Sequence, residues 1–317
     1  MNIWQQLKKP IFALAPMEDV TDTVFRRIVT SCAAPDIMFT EFTSVDGMDS
    51  EGSVHVSHRL KFDNSEKPLI AQIWGTTPES YFNAAQELQK RNFDGIDINM
   101  GCPVPKIIKK GCCSALINDH TKAKEIIDAT RSGAGKLTLS VKTRIGFKTI
   151  VTDEWIGFLL EQNLDALTIH GRTTKELSSV PNHWDEIGKA VALKNRIAPH
   201  TIILGNGDIM SREEGLEKIE QCGLDGVMIG RGIFSNPWIF DKTTAQTDLS
   251  SQKMLKLFLS HINLFDETWG TQKNFAILKK FIKMYVTGFD GAGKMRHELS
   301  QSSSIDNLKD KVEKLIY

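Results

Sequence analysis

Short runs of consecutive apolar residues recur along the chain, separated by stretches in which apolar positions return every three or four residues. The runs are IFALAPM (11–17), DIMFTEF (36–42), PLIAQIW (68–74), GIDINMG (95–101), LTLSVKTRIG (137–146), DALTIHGR (165–172), TIILGNGD (201–208) and GVMIGRG (226–232). A strand covered on both faces reads this way, because neither face meets water, and parallel sheets are built from such strands. Helical patterns fill the gaps at 77–91, 120–133, 152–163 and 211–223. Two of them open on strong start signals: Thr77 ahead of Pro78 and Glu79, and Ser211 ahead of Glu213 and Glu214. Eight strands alternating with helices over about 230 residues predict an α/β fold, a (β/α)8 TIM barrel. A doubly wound open sheet competes less well, since no Gly-x-Gly-x-x-Gly opens the first helix.

Beyond NPWIFDK the pattern changes. Residues 251–270, 274–289 and 304–316 read as helices, with no strand-like run among them. The chain is therefore expected to divide into a barrel domain over 1–242 and an all-helical C-terminal domain over 243–317. Charge matters only locally. The 39 Lys and Arg residues balance 39 Asp and Glu, so net charge neither advertises nor excludes a nucleic-acid partner. Between 273 and 296, however, six Lys or Arg residues meet one acid, Asp290.

An apolar fraction of 41% supports a core without disulfides or metal. The five cysteines, Cys32, Cys102, Cys112, Cys113 and Cys222, form no Cys-x-x-Cys pair. Adjacent cysteines suit neither an ordinary disulfide nor a zinc site, so reduced thiols in a cytoplasmic protein without metal are expected. No run of 18 apolar residues and no signal-peptide pattern points to a membrane.

In a barrel of this kind the working residues lie at the C-terminal ends of the strands. Polar or special residues interrupt the apolar runs there: Pro16 and Met17, Gln72, Asn99 and Cys102, Lys142 and Arg144, His170 and Arg172, Asn206 with Gly207 and Asp208, Gly230 and Arg231. The last two strand ends, GNGDI and GRGIFSNPW, place glycines where backbone must approach a ligand closely. Strands seven and eight are where barrels commonly hold phosphate.

Taken together, LAPMEDVTD, DINMGCPVPKIIKKG, VKTRIG, IHGRT, GNGDI and GRG resemble the tRNA-dihydrouridine synthases, over residues of about 10–240 and in the same order. The resemblance implies an FMN-dependent flavoenzyme that draws on NADPH and reduces the C5=C6 bond of specific tRNA uridines. Hydride would pass from FMN N5 to uracil C6, and Cys102 would give the proton to C5. It further implies that Pro16, Met17, Glu18, Gln72, Lys142 and His170 surround the flavin, and that Asn206, Gly207, Asp208, Gly230 and Arg231 hold its phosphate. Asn99, Arg144 and Arg172 would face the substrate, and Lys279, Lys280, Lys283 and Arg296 would grip tRNA phosphates. A thiol suits the acid role, because a free cysteine with a pKa of about 8.5 is mostly protonated near neutral pH yet can release its proton.

Three places depart from the family pattern. Glu18-Asp19 stands where Ala-Gly is usual, Cys112-Cys113 where Ala or Gly is usual, and the segment after HGRT lacks the common Arg, Gln and Tyr. Cys112 and Cys113 are read as bystanders. Two rival functions remain: an FMN-dependent reductase of a free pyrimidine or other small enone, and a non-catalytic RNA-binding protein.

Overall fold

The computed structural model describes residues 2–50, 53–243 and 249–316. Among them all eight expected strands form: β1 (Ile11–Leu14), β2 (Ile37–Phe39), β3 (Leu69–Trp74), β4 (Gly95–Met100), β5 (Thr138–Arg144), β6 (Ala166–His170), β7 (Ile202–Asn206) and β8 (Gly226–Ile229). They pair in parallel and in chain order. The ring closes where β1 meets β8, with Ile11 opposite Gly226 and Leu14 opposite Ile229. A two-residue strand, Thr43–Ser44, lies beside the end of β3.

The strands stop short of the apolar runs because the chain turns at their ends. After β1, Pro16 offers no amide to a ladder. The Met17 amide then donates to Thr21 Oγ1 at 2.8 Å, and the Thr21 amide returns to Met17 O at 3.0 Å. After β6, the Arg172 amide folds back onto His170 O at 2.8 Å.

Alternation along each strand splits the apolar residues into two cores. Ile11, Ala13, Phe39, Ile70, Leu204 and Met228 point into the barrel, where Trp4 of the short N-terminal helix Ile3–Gln6 closes the floor. Phe12, Leu14, Ile96, Ile98, Leu167, Ile169 and Val227 point outward under the helices.

The floor also carries a repeat that the apolar pattern hides. Asp36, Asp94, Asp165 and Asp225 each immediately precede an even-numbered strand. Their carboxylates accept the amides of Phe12, Leu69, Leu139 and Ile203, on the odd-numbered strands, at 2.7–2.8 Å. The second oxygen of each meets a cation or amide: Lys242, Lys67, Asn2 and Lys9 respectively.

Helices Pro78–Lys90, His120–Ala134, Thr152–Leu160 and Arg212–Cys222 occupy the expected gaps, and Thr23–Cys32 and Trp184–Ile197 fill two more. Ser211 caps its helix by accepting the Glu214 amide at 3.1 Å. Thr77 does not cap; its hydroxyl is drawn instead to Ser80 Oγ at 2.9 Å and to Asp46. In the tail, Ser251–Trp269 and Ile305–Ile316 form as expected, but 274–289 is not one helix. It is a 3-10 stretch, Phe275–Phe281, then one α turn, Ile282–Tyr285. The tighter winding sets Leu278 and Phe281 above one another, and both are buried.

The tail packs on the first barrel helix. Phe281 stacks on Phe25 at 5.1 Å between ring centres. Asp22, which caps that helix at the Phe25 amide, also accepts Trp269 Nε1 at 3.0 Å and Lys273 Nζ at 2.9 Å. The expected boundary at 242/243 adjoins residues 244–248, which lie outside the described residues.

Candidate active site

The C-terminal ends of the strands surround two adjoining cavities that share Pro16, Lys142 and His170. The larger, about 470 Å³, is lined by Met17, Asn206, Gly207, Asp208, Gly230 and Arg231. The smaller, about 180 Å³, is lined by Phe42, Gln72, Asn99, Cys102 and Arg144. Strand after strand thus delivers its terminal polar residue to one place, which the apolar runs anticipated.

Not every candidate lies in these walls. Glu18 turns aside to pair with Arg59 Nη2 at 2.6 Å, because a carboxylate beside a guanidinium is better placed than one facing an apolar wall. Arg172 is 2% exposed and sits behind the mouth. It donates to Val180 O at 2.6 Å and to the Asp208 carboxylate, which Arg231 also holds at 2.7 Å.

Beneath the smaller cavity runs a hydrogen-bond chain that fixes Cys102. Buried Asp97 accepts from Ser140 Oγ at 2.6 Å and from Gln72 Nε2 at 2.7 Å. The Gln72 amide is thereby oriented so that its Oε1 accepts Asn99 Nδ2 at 3.1 Å. Asn99 Oδ1 then accepts the amides of Gly101 and Cys102 at 3.1 and 2.9 Å. Asn99 therefore shapes the turn that carries the thiol. Arg144 clamps the same turn from the other side, donating to Gly101 O at 2.8 Å and to Thr173 O at 3.1 Å.

Electrostatics in the mouth are dominated by desolvated cations. Burial, then the neighbouring Arg144, draws the Lys142 ammonium down to about 8, and its Nζ donates a hydrogen bond to Asn206 Oδ1 at 2.9 Å. Burial pushes Asp97 up to about 6 and Arg144 down to about 10. Burial and the charges of Lys142, Arg144 and Arg172 keep His170 neutral.

Cys102 departs from the ordinary thiol range assumed for it. A hydrogen bond from Cys113 brings it down to about 7 against the opposing effect of burial, helped by the Val104 amide and by Arg144. Burial raises Cys113 instead, so its proton stays in place to be donated. Cys112 looks away, its thiol reaching Lys110 O at 3.7 Å. All five cysteines are free thiols. Among the described residues no His, Cys, Asp or Glu cluster could hold a metal ion, and no helix is long and apolar enough to cross a membrane.

The basic stretch of the tail is thinner than its charge count suggested. Lys273 is taken up by Asp22, and Lys280 by Asp19 at 2.8 Å. Lys279 lies over the Phe275 ring at 5.3 Å, and Arg296 donates to Val286 O at 3.0 Å. Lys283 is exposed.

A closed barrel with a thiol, a half-buried lysine and two glycine turns converging at its C-terminal mouth has the layout of a (β/α)8 enzyme. The family model described as "Dihydrouridine synthase (Dus)" matches residues 13–316, and the chain belongs to that family. Membership makes it an oxidoreductase. It is similar to "Probable tRNA-dihydrouridine synthase" of Staphylococcus aureus (strain COL), with 45% identity over 309 residues, 96% of this chain and 92% of the relative. It is similar also to "Probable tRNA-dihydrouridine synthase 2" of Bacillus subtilis (strain 168), with 41% identity over 311 residues, 97% and 94% of the two chains.

Proposed function

We propose that the protein is a cytoplasmic tRNA-dihydrouridine synthase that binds FMN, draws electrons from NADPH, and reduces the C5=C6 bond of particular tRNA uridines. The observation that carries this reading is the Cys102 thiol facing a cavity continuous with a second, cationic and glycine-bordered one. The larger cavity suits an anionic cofactor. Lys142 is half-buried, and burial and the neighbouring Arg144 draw it toward neutrality, which the charge of an anionic ligand would oppose. Gly230, where an added Cβ would lie 3.7 Å from Ala15 and 3.8 Å from Met17 Sδ, leaves its backbone open to a phosphate, whereas Gly207, with φ of +139°, is glycine because the Asn182 side chain fills the place of a Cβ. Arg231, 63% exposed at the rim, adds a movable cation.

An FMN held by Lys142, Asn206, Gly230 and Arg231 and reduced by NADPH would supply a hydride for uracil C6. Cys102 would give its proton to C5 and be reprotonated from solvent. Asn99 and Arg144 keep the turn of Cys102 still while this happens, and Lys142 offers positive charge to the electron-rich side of the mouth. The target uracil has to leave its stack to enter, at a cost of about a few kcal/mol. The tail over 243–317 would offset that through Lys279, Lys280, Lys283 and Arg296 at the tRNA backbone.

Nucleoside mass spectrometry on unmodified tRNA incubated with protein, FMN and NADPH tests the reading. A gain of about two mass units on a uridine is expected, since reduction adds two hydrogens. Reduction of free uracil with no change in any tRNA would overturn it.

A further inference from the structure

Positive charge without a partner collects on the chain that leaves Cys102. After Pro103 comes one turn of helix, Pro105–Ile108. It runs on as the Lys109 amide donates to Pro105 O at 3.0 Å and the Gly111 amide to Ile108 O at 2.9 Å. This winding puts Lys106, Lys109 and Lys110 on one face, because residues three and four apart are neighbours on a helix. All three are exposed, while Ile107 and Ile108 between them are half-buried. Gly111 then turns the chain with φ of +74°, and Lys122 Nζ stands 3.5 Å from the place of its Cβ. Four ammonium groups therefore border one loop. Among the described residues none of them has an ion-pair or hydrogen-bond partner. Like charges at helical spacing repel, so the face costs the free protein stability rather than holding it together. Asp119, three residues before Lys122, spends its carboxylate on the Lys122 amide at 3.0 Å. In the tail, by contrast, Lys273 and Lys280 are each neutralised by an aspartate.

We propose that Lys106, Lys109, Lys110 and Lys122 form a docking face for the backbone phosphates of the RNA strand that delivers the target base. The proposal rests on the tRNA reading above and adds to it a second grip, on the barrel side of the site. Cys102 and Pro103 line the smaller cavity, and Lys106 follows three residues later. A base lodged in that cavity leaves its flanking phosphates outside the mouth, where this loop stands. Lysines strung along an exposed helix side suit a row of phosphates met one by one, rather than the lone 2′-phosphate of NADPH.

The test is the salt dependence of binding between the full-length protein and fluorescently labelled, unmodified tRNA, followed by anisotropy. Each lysine that meets a phosphate releases a counterion and adds about 0.7 to 0.9 to the slope of log K against log salt. Replacing Lys106, Lys109 and Lys110 together by Ala is expected to lower that slope by about two or more. Binding should weaken roughly a hundredfold at about 0.1 M salt. Arg at the same three positions should keep the slope, since the charges stay. Lys124→Ala removes a lysine already paired with Asp128 at 2.6 Å, so an unchanged slope there rules out a mere net-charge effect. A triple Ala variant whose slope matches wild type overturns the proposal, and a raised KM for NADPH in that variant would give the lysines to the electron donor instead. Circular dichroism on each variant separates these results from a failure to fold. Nucleoside mass spectrometry on the wild type keeps the two layers apart: if no dihydrouridine forms while the triple variant loses slope, the reaction fails and the RNA face stands.

Discussion

At the floor of the barrel each of four aspartates has both carboxylate oxygens occupied, one by a strand amide and one by a cation or side-chain amide. At the mouth, three residues past Leu139 on β5, the half-buried ammonium of Lys142 has one amide oxygen, that of Asn206, as its partner. Arg144 spends its donors on the loop carbonyls of Gly101, Thr173 and Leu177, and Arg172 divides its own between Val180 O and the Asp208 carboxylate. The floor uses charge to close the structure on itself. The mouth holds Lys142 against an amide oxygen and Arg144 against carbonyls, with no carboxylate bonded to either, an arrangement that costs stability. One end of the strands therefore reads as architecture and the other as chemistry, although both draw on the same residue types.

The sharpest break between the ends is expected from Cys102→Ala. Loss of a positioned acid should lower dihydrouridine formation roughly 100- to 10,000-fold. Thermal stability should barely move, because the thiol's hydrogen bonds serve a turn already held by Asn99 and Arg144. Single-turnover nucleoside analysis beside a melting curve checks both halves. A variant that melts early but turns over normally would reverse the assignment of this end.

Asp225→Ala is the matching change at the floor. It would strip the Ile203 amide of its acceptor at 2.8 Å and leave Lys194, paired at 3.2 Å, buried beside no acid. About 3 kcal/mol of destabilisation is expected, read from urea unfolding, with turnover per folded molecule unchanged. Asp225→Asn keeps the amide contact and loses the charge, which makes it the probe of pH. Burial works against the ionised Asp225, yet the hydrogen bond from Lys9, the Ile203 amide and the nearby charge of Lys194 hold it below the usual carboxylate range. A depressed folded-state value gives stability that is present above the unfolded pKa and is lost as pH falls through the folded one. The stability gap between wild type and Asp225→Asn should therefore be widest near neutrality and close on acidification below about pH 4. A gap that stays constant across that window would show that the charge contributes nothing.

Much of this contrast was legible in the chain. Continuous apolar runs gave the strands, since burial on both faces leaves no room for alternation, and the glycines after β7 and β8 marked the larger cavity. The aspartate ring was not read, although an acid stands just before the apolar runs at 36, 94, 165 and 225. Its partner is an amide on another strand, about 20 to 30 residues away, and nothing local announces it. The Lys273 and Lys280 charges looked free because their acids, Asp22 and Asp19, lie some 250 residues earlier.

The smallest effect expected lies on the seam between barrel and tail, where Lys280 and Lys283 can be told apart. Lys280 pairs with Asp19 at 2.8 Å, both side chains being about half exposed. Removing it should cost 0–1 kcal/mol of stability, because exposed ion pairs are screened by solvent and salt. Lys283 is exposed and, among the described residues, has no ion-pair or hydrogen-bond partner, so Lys283→Ala should leave stability unchanged. Affinity for tRNA should respond in the opposite sense. A lysine free to meet a phosphate contributes a released counterion, whereas one already neutralised by Asp19 must first give up that partner. Lys283→Ala is therefore expected to reduce the slope of log K against log salt by about one, and Lys280→Ala by less. Asp19→Ala supplies the control: by releasing Lys280 it should steepen that slope, and a slope that falls instead would place Asp19 itself at the RNA surface.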